Sequence, residues 1–128
     1  MKKRFVVLAV CAIIAIAIIV YVGSKNTTGN PTGNATICYQ GTEFTLTDEE
    51  AAEMQQIFAW KAYNRGIGAC PFNENTAISF GETVFAIATD DCYSAKDMRN
   101  ELCIEFDRDE FQKIIALYEK YFGDTVID

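Results

Sequence analysis

The chain has 128 residues, no histidine, and 18 acidic side chains against 11 basic ones, for a formal net charge of −7. Without histidine, a Ser-His-Asp or Cys-His nucleophile cannot be assembled, and the usual general base near neutral pH is missing. The acidity argues against nucleic acid and anionic membrane surfaces as partners.

Lys2, Lys3 and Arg4 form a basic cluster, followed from Phe5 to Val22 by an uncharged apolar run. Eighteen residues at a rise of ~1.5 Å make a helix of ~27 Å, close to the hydrocarbon thickness of a bilayer. Residues 1–23 therefore read as an N-terminal signal-anchor transmembrane helix. Its basic end stays cytoplasmic and the rest of the chain lies outside. The alternative is a cleaved signal peptide, for which the apolar run is long and the small-residue site after Ser24 imperfect. Cys11, preceded by Leu8-Ala9-Val10, sits too early for a lipoprotein site.

Residues 24–36 run SKNTTGNPTGNAT from Ser24, with almost no apolar content, and are expected to be a flexible linker. Past the apolar segment, eight Lys or Arg face all eighteen acids, so the exported part carries a charge near −10.

Residues 37–128 have the length of one domain, expected to be α+β and extracytoplasmic. Ile37–Tyr39 and Glu43–Leu46 flank Gln40-Gly41-Thr42 as a hairpin or bulged strand. Thr47-Asp48-Glu49-Glu50 matches the capping box, and the following helix is expected to reach about Tyr63. A loop from Gly66 to Asn75 precedes the strands Ala77–Phe80 and Thr83–Ala88, joined at Gly81-Glu82 by a type II′ turn. Asp90 to Asn100 reads as polar loop, and Leu102–Phe106 as a strand. Asp107-Arg108-Asp109-Glu110 repeats the capping logic before a final helix that ends at Gly123. The expected order is ββ-α-βββ-α, a small antiparallel sheet with two helices on one face.

Four cysteines fall in this domain, and in an exported chain they read as two disulfides with three possible connectivities. Cys70–Cys92 would join the two ends of the central hairpin, and Cys38–Cys103 would tie the first strand to the last. A four-thiolate zinc site competes, but there is no C-x-x-C and the spacings are long. The run CPFNENTAISFGETVFAIATDDC, Cys70 to Cys92, resembles a pattern in small exported or membrane-anchored bacterial proteins, with a C-x-F start and a D-x-C or D-D-C close. The resemblance covers about a quarter of the domain. It implies that Cys70 and Cys92 pair, and it carries no function.

No motif specifies a reaction, so an enzyme is not expected, and no cofactor is required. Asp107 and Asp109 are explained by a helix start, which leaves no carboxylate pair clearly set aside for acid–base work. A calcium site could draw on Asp90, Asp91 and Asp97, although the EF-hand spacing is absent. Trp60 and Tyr63 point away from the apolar arc of the first helix and are candidates for a binding surface; the plainer reading is that they cover a sheet edge. Phe72 and Tyr93, beside the two hairpin cysteines, form a second candidate patch, against the reading that they pack around a disulfide. The leading expectation is a membrane-anchored extracytoplasmic binding module without catalysis. It would be held to the membrane by its N-terminal helix and would face a protein or other cell-surface partner. The alternative is a small exported protein that binds calcium or responds to thiol redox state.

Overall fold

A computed structural model of the protein describes residues 10–11, 13–14, 27–64, 72–89 and 92–123. Strand β1 (Ala35–Tyr39) turns back through Gln40 and Gly41, at φ +50° and +84°, into β2 (Thr42–Thr45). Two successive positive φ values are what a two-residue type I′ hairpin requires. Helix α1 (Asp48–Phe58) starts at a complete capping box: the Thr47 hydroxyl accepts from the Glu50 amide, and the Glu50 carboxylate accepts from the Thr47 amide. Strands β3 (Phe72–Phe80), β4 (Thr83–Ala88), β5 (Ser94–Asp97) and β6 (Leu102–Glu105) follow. Helix α2 (Arg108–Phe122) begins at a second capping box, Asp107 with Glu110, and stops at Gly123, φ +92°.

The six strands make one antiparallel sheet in the order β2-β1-β3-β4-β5-β6. Alternate residues of β1, β3, β4, β5 and β6 (Ile37, Ile78, Phe80, Phe85, Ile87, Ala95 and Ile104) face one buried layer. Met54, Ile57 and Phe58 of α1 and Phe111, Ile114, Leu117 and Tyr118 of α2 complete that layer, so both helices cover the same face. Phe58 sits at its centre, with ring centroids 4.9–5.4 Å from Phe80, Phe85 and Phe106.

The observed order is ββ-α-ββββ-α, which corrects the expected ββ-α-βββ-α. The added strand is β5, Ser94-Ala95-Lys96-Asp97, inside the stretch read as loop. None of its four residues is β-branched or aromatic; pairing with β4 on one side and β6 on the other makes it a strand. The first helix also ends at Phe58 rather than near Tyr63.

The two-disulfide staple is corrected as well. No disulfide joins two of the described cysteines: Cys11, Cys38 and Cys103 are free thiols. Cys92 is disulfide-bonded, and Cys70 lies outside the described residues. Cys38 and Cys103 fail to meet because β1 pairs with β3, leaving β3, β4 and β5 between β1 and β6. Four strand spacings amount to ~19 Å, whereas disulfide-bonded Cα atoms lie within ~7 Å. The two thiols are the ends of one cross-strand row, Cys38–Ala77–Ala86–Lys96–Cys103, on the face away from the helices.

The apolar N-terminal segment lies almost wholly outside the described residues. Its four described residues, Val10, Cys11, Ile13 and Ile14, are helical. Among the described residues no helix is long and apolar enough to cross a membrane, so the transmembrane reading finds no span here.

The stretch expected to be a linker is laid down on the domain from Thr27 onward. Thr27 bridges to Ala62, and β1 already begins at Ala35. Gly33, φ +106°, packs so closely on the β3–β4 turn that an added Cβ would lie 2.8 Å from the Gly81 Cα. Gly33→Ala should therefore destabilise the fold by at least ~1 kcal/mol in urea denaturation, since both the positive φ and the contact exclude a side chain. Alkylation under denaturing, non-reducing conditions should label both Cys38 and Cys103, as mass spectrometry of the peptides would show.

Candidate functional site

The site begins where α1 stops. The Thr28 hydroxyl donates to the Phe58 carbonyl at 2.5 Å and accepts from the Lys61 amide at 3.0 Å. Around it the Thr28 amide donates to the Lys61 carbonyl, and the Trp60 amide donates to the Gly29 carbonyl. This N-terminal strap takes over backbone groups that another helical turn would have used. Ala59 becomes extended (ψ 139°), and Trp60 is turned to φ +56°. The left-handed region is unusual for a bulky residue and costs on the order of 1–3 kcal/mol, which the surrounding structure has to offset.

In this conformation Trp60 is 64% exposed, the largest exposure of any described aromatic side chain. It borders a cleft of about 460 Å³ lined by Asn30, Ala52, Gln55, Gln56, Ala59 and Trp60. Ala52, Gln55 and Gln56 fall at i, i+3 and i+4 on one face of α1, and Ala59 follows as its C-cap, so the helix is one wall. The strap, through Asn30, and Trp60 complete it. Among the described residues no charged side chain lines it, although α1 opens with Asp48, Glu49 and Glu50. The cleft can stack an apolar surface on the indole and hydrogen-bond it through three carboxamides, each with two N–H donors and an acceptor oxygen. None of its described lining side chains titrates near neutral pH.

Tyr63, grouped with Trp60 on the sequence, is not in the cleft. It is half-buried, and its hydroxyl donates to Asp97 Oδ2 at 2.6 Å. Asp97 is fully buried at the end of β5, and Arg99 also serves it, through its amide (3.0 Å), Nε (3.3 Å) and Nη2 (3.0 Å). Burial alone would raise the Asp97 pKa; the hydrogen bonds from Arg99 and Tyr63 reverse that and hold it below the usual value. Burial and then the neighbouring Asp97 push the Tyr63 phenol up, and the Asp97 hydrogen bond raises Arg99. This cluster fastens the segment after α1 to the β5–β6 turn.

Asp97 thus has both carboxylate oxygens committed to protein donors, and a cation there would have to displace Arg99. Asp90 and Asp91 lie outside the described residues. Among the described residues no group of three or more acidic or cysteine side chains is placed to hold a metal ion. Phe72 and Tyr93 are not brought together. Phe72 is opposite Ala88, on the face away from the helices, while Tyr93 (φ +48°) packs its ring 5.2 Å from Phe111 of α2.

Sequence reasoning missed Gln55, Gln56 and Asn30. The i, i+3, i+4 spacing was available as a signal, but an alanine and two glutamines read as an ordinary solvated helix face. Asn30 lay in a segment with no local pattern at all.

Two carboxylates tie the helix layer to pH. Burial raises the Glu50 pKa, but hydrogen bonds from Lys120 (2.6 Å), Tyr121 (2.5 Å) and Thr47 overcome it and hold Glu50 at about 2. Glu50 and Asp97 are both more acidic folded than unfolded. Their contribution is complete above the unfolded carboxylate range and lost as pH falls through the folded values. The urea midpoint should be flat from pH 7 to about 5 and decline toward pH 2, and Glu50→Gln should make that decline shallower.

Comparison of the chain with protein-family models, with curated proteins and with solved structures finds no match.

Proposed function

We propose that the protein is a non-catalytic binding module, held outside the cytoplasm at the membrane by its N-terminal segment, that meets a cell-surface partner through the Trp60 cleft. The placement rests on the sequence, where Lys2, Lys3 and Arg4 precede the apolar run Phe5–Val22. The binding role rests on one observation: Trp60 is held in a backbone conformation that disfavours it, with its indole in solvent at the rim of a cleft. A residue needed only for packing would be buried, and one needed only for the turn would be glycine. Exposed tryptophan is among the side chains that most often anchor an interface. The described lining of the cleft is uncharged, which suits recognition, and among the described residues it offers no group for proton transfer.

Trp60→Gly separates the two roles. Glycine accepts φ +56° without a Cβ penalty, so the variant should match the wild type in stability or exceed it by up to ~1 kcal/mol. Co-sedimentation of the full chain, held in detergent, with detergent-extracted envelopes of its own host, which leave the N-terminal segment no bilayer to enter, should weaken at least tenfold. A loss of more than ~2 kcal/mol would make Trp60 a packing residue. Unchanged co-sedimentation would remove the cleft from the function.

A further inference from the structure

We infer that the Trp60 cleft takes a neutral glycan, one or two sugar rings of an uncharged chain stacked on the indole; this rests on reading the cleft as the binding site. A sugar ring is two-sided in chemistry: C–H groups make an apolar face, and hydroxyls that both donate and accept ring its edge. The cleft offers the complement of each. The apolar face meets the Trp60 indole, the only tryptophan in the chain, standing 64% exposed. The hydroxyl rim meets Gln55, Gln56 and Asn30, whose carboxamides present donors and acceptors side by side.

The remaining lining narrows the choice. Ala52 and Ala59 reach only to Cβ, so a flat ring can approach the wall on either side of the two glutamines. A cleft of about 460 Å³ falls in the range that holds a small ligand, ~300–1,000 Å³. Among the described residues the cleft has neither a cation to hold an acidic or phosphorylated ligand, which the net charge of −7 also repels, nor a carboxylate to hold a cationic one.

The single tryptophan makes its own reporter. The full 128-residue chain, in a sugar-free polyoxyethylene detergent, would be titrated with chitotetraose, cellotetraose and mannotetraose, and separately with choline and tetralysine, while Trp60 emission is followed. The expected result is a saturable change with at least one of the tetrasaccharides. It should be unaltered between low and high salt, because no charge pair carries it. It should also weaken about tenfold or more in Gln55→Ala/Gln56→Ala, whose half-buried and exposed side chains are not part of the core. A response to choline or tetralysine with none to the sugars would overturn the glycan assignment and leave the cleft as a cation site. No response to any probe, with envelope binding still dependent on Trp60, would also overturn it and point to a protein surface. No response together with Trp60-independent envelope binding would overturn both the glycan and the cleft.

Discussion

The Thr28 hydroxyl, bonded at once to the Phe58 carbonyl and the Lys61 amide, decides how the chain leaves its first helix. A further helical turn would have carried Trp60 to Tyr63 around the axis of α1. With the turn cancelled, the next residues run extended along the strap, and three consequences follow from one exchange of hydrogen bonds. Trp60 is set in solvent, Tyr63 reaches the buried Asp97, and Asn64 pairs in both directions with Cys103 on the outer edge of β6. The last of these closes a sheet edge that would otherwise present unpaired backbone groups. The opposite edge, β2, is four exposed residues long.

The helix layer is locked by a reciprocal arrangement. Each helix has a glutamate at its third position that closes its own capping box and also reaches the other end of the layer. Glu50 of α1 holds Lys120 and Tyr121 at the end of α2, and Glu110 of α2 holds Lys61 just past the end of α1, at 2.6 and 2.7 Å. Antiparallel packing of the two helices makes both contacts possible. A carboxylate near a helix N-terminus is favourable in itself, so these ties reinforce the local preference. Asp97 is different in kind. It is a charge inside the core layer, kept ionised by Arg99 and Tyr63, and it stabilises only while all three stay together.

Both capping boxes were legible, because the residues that make them lie within four positions of each other and the chemistry is complete without the rest of the fold. The Gly81 turn and the apolar faces of both helices were legible for the same reason. β5 was not: Ser94-Ala95-Lys96-Asp97 has no strand preference of its own, and neighbours on both sides impose one. The reading of Cys38 with Cys103 joined first strand to last, whereas the sheet inserts β1 between β2 and β3 and separates the thiols by four strand spacings. Trp60 was singled out by a helical count that does not apply to it, since α1 ends at Phe58; its exposure comes from the strap. Tyr63, chosen by the same count, serves Asp97.

What the amino-acid order determines alone is short in range: where helices begin, where hairpins turn, which faces are apolar, and that histidine-dependent chemistry is absent. These depend on residues a few bonds apart, and local sterics and hydrogen bonds settle them. The tertiary structure alone decides where α1 ends, that β5 is a strand, which cysteines stay free, and that Asn30, Gln55, Gln56 and Trp60 share a cleft. Each of these turns on a contact between segments separated by tens of residues. There the competing local conformations are close in energy, and a single distant hydroxyl or strand edge tips the balance.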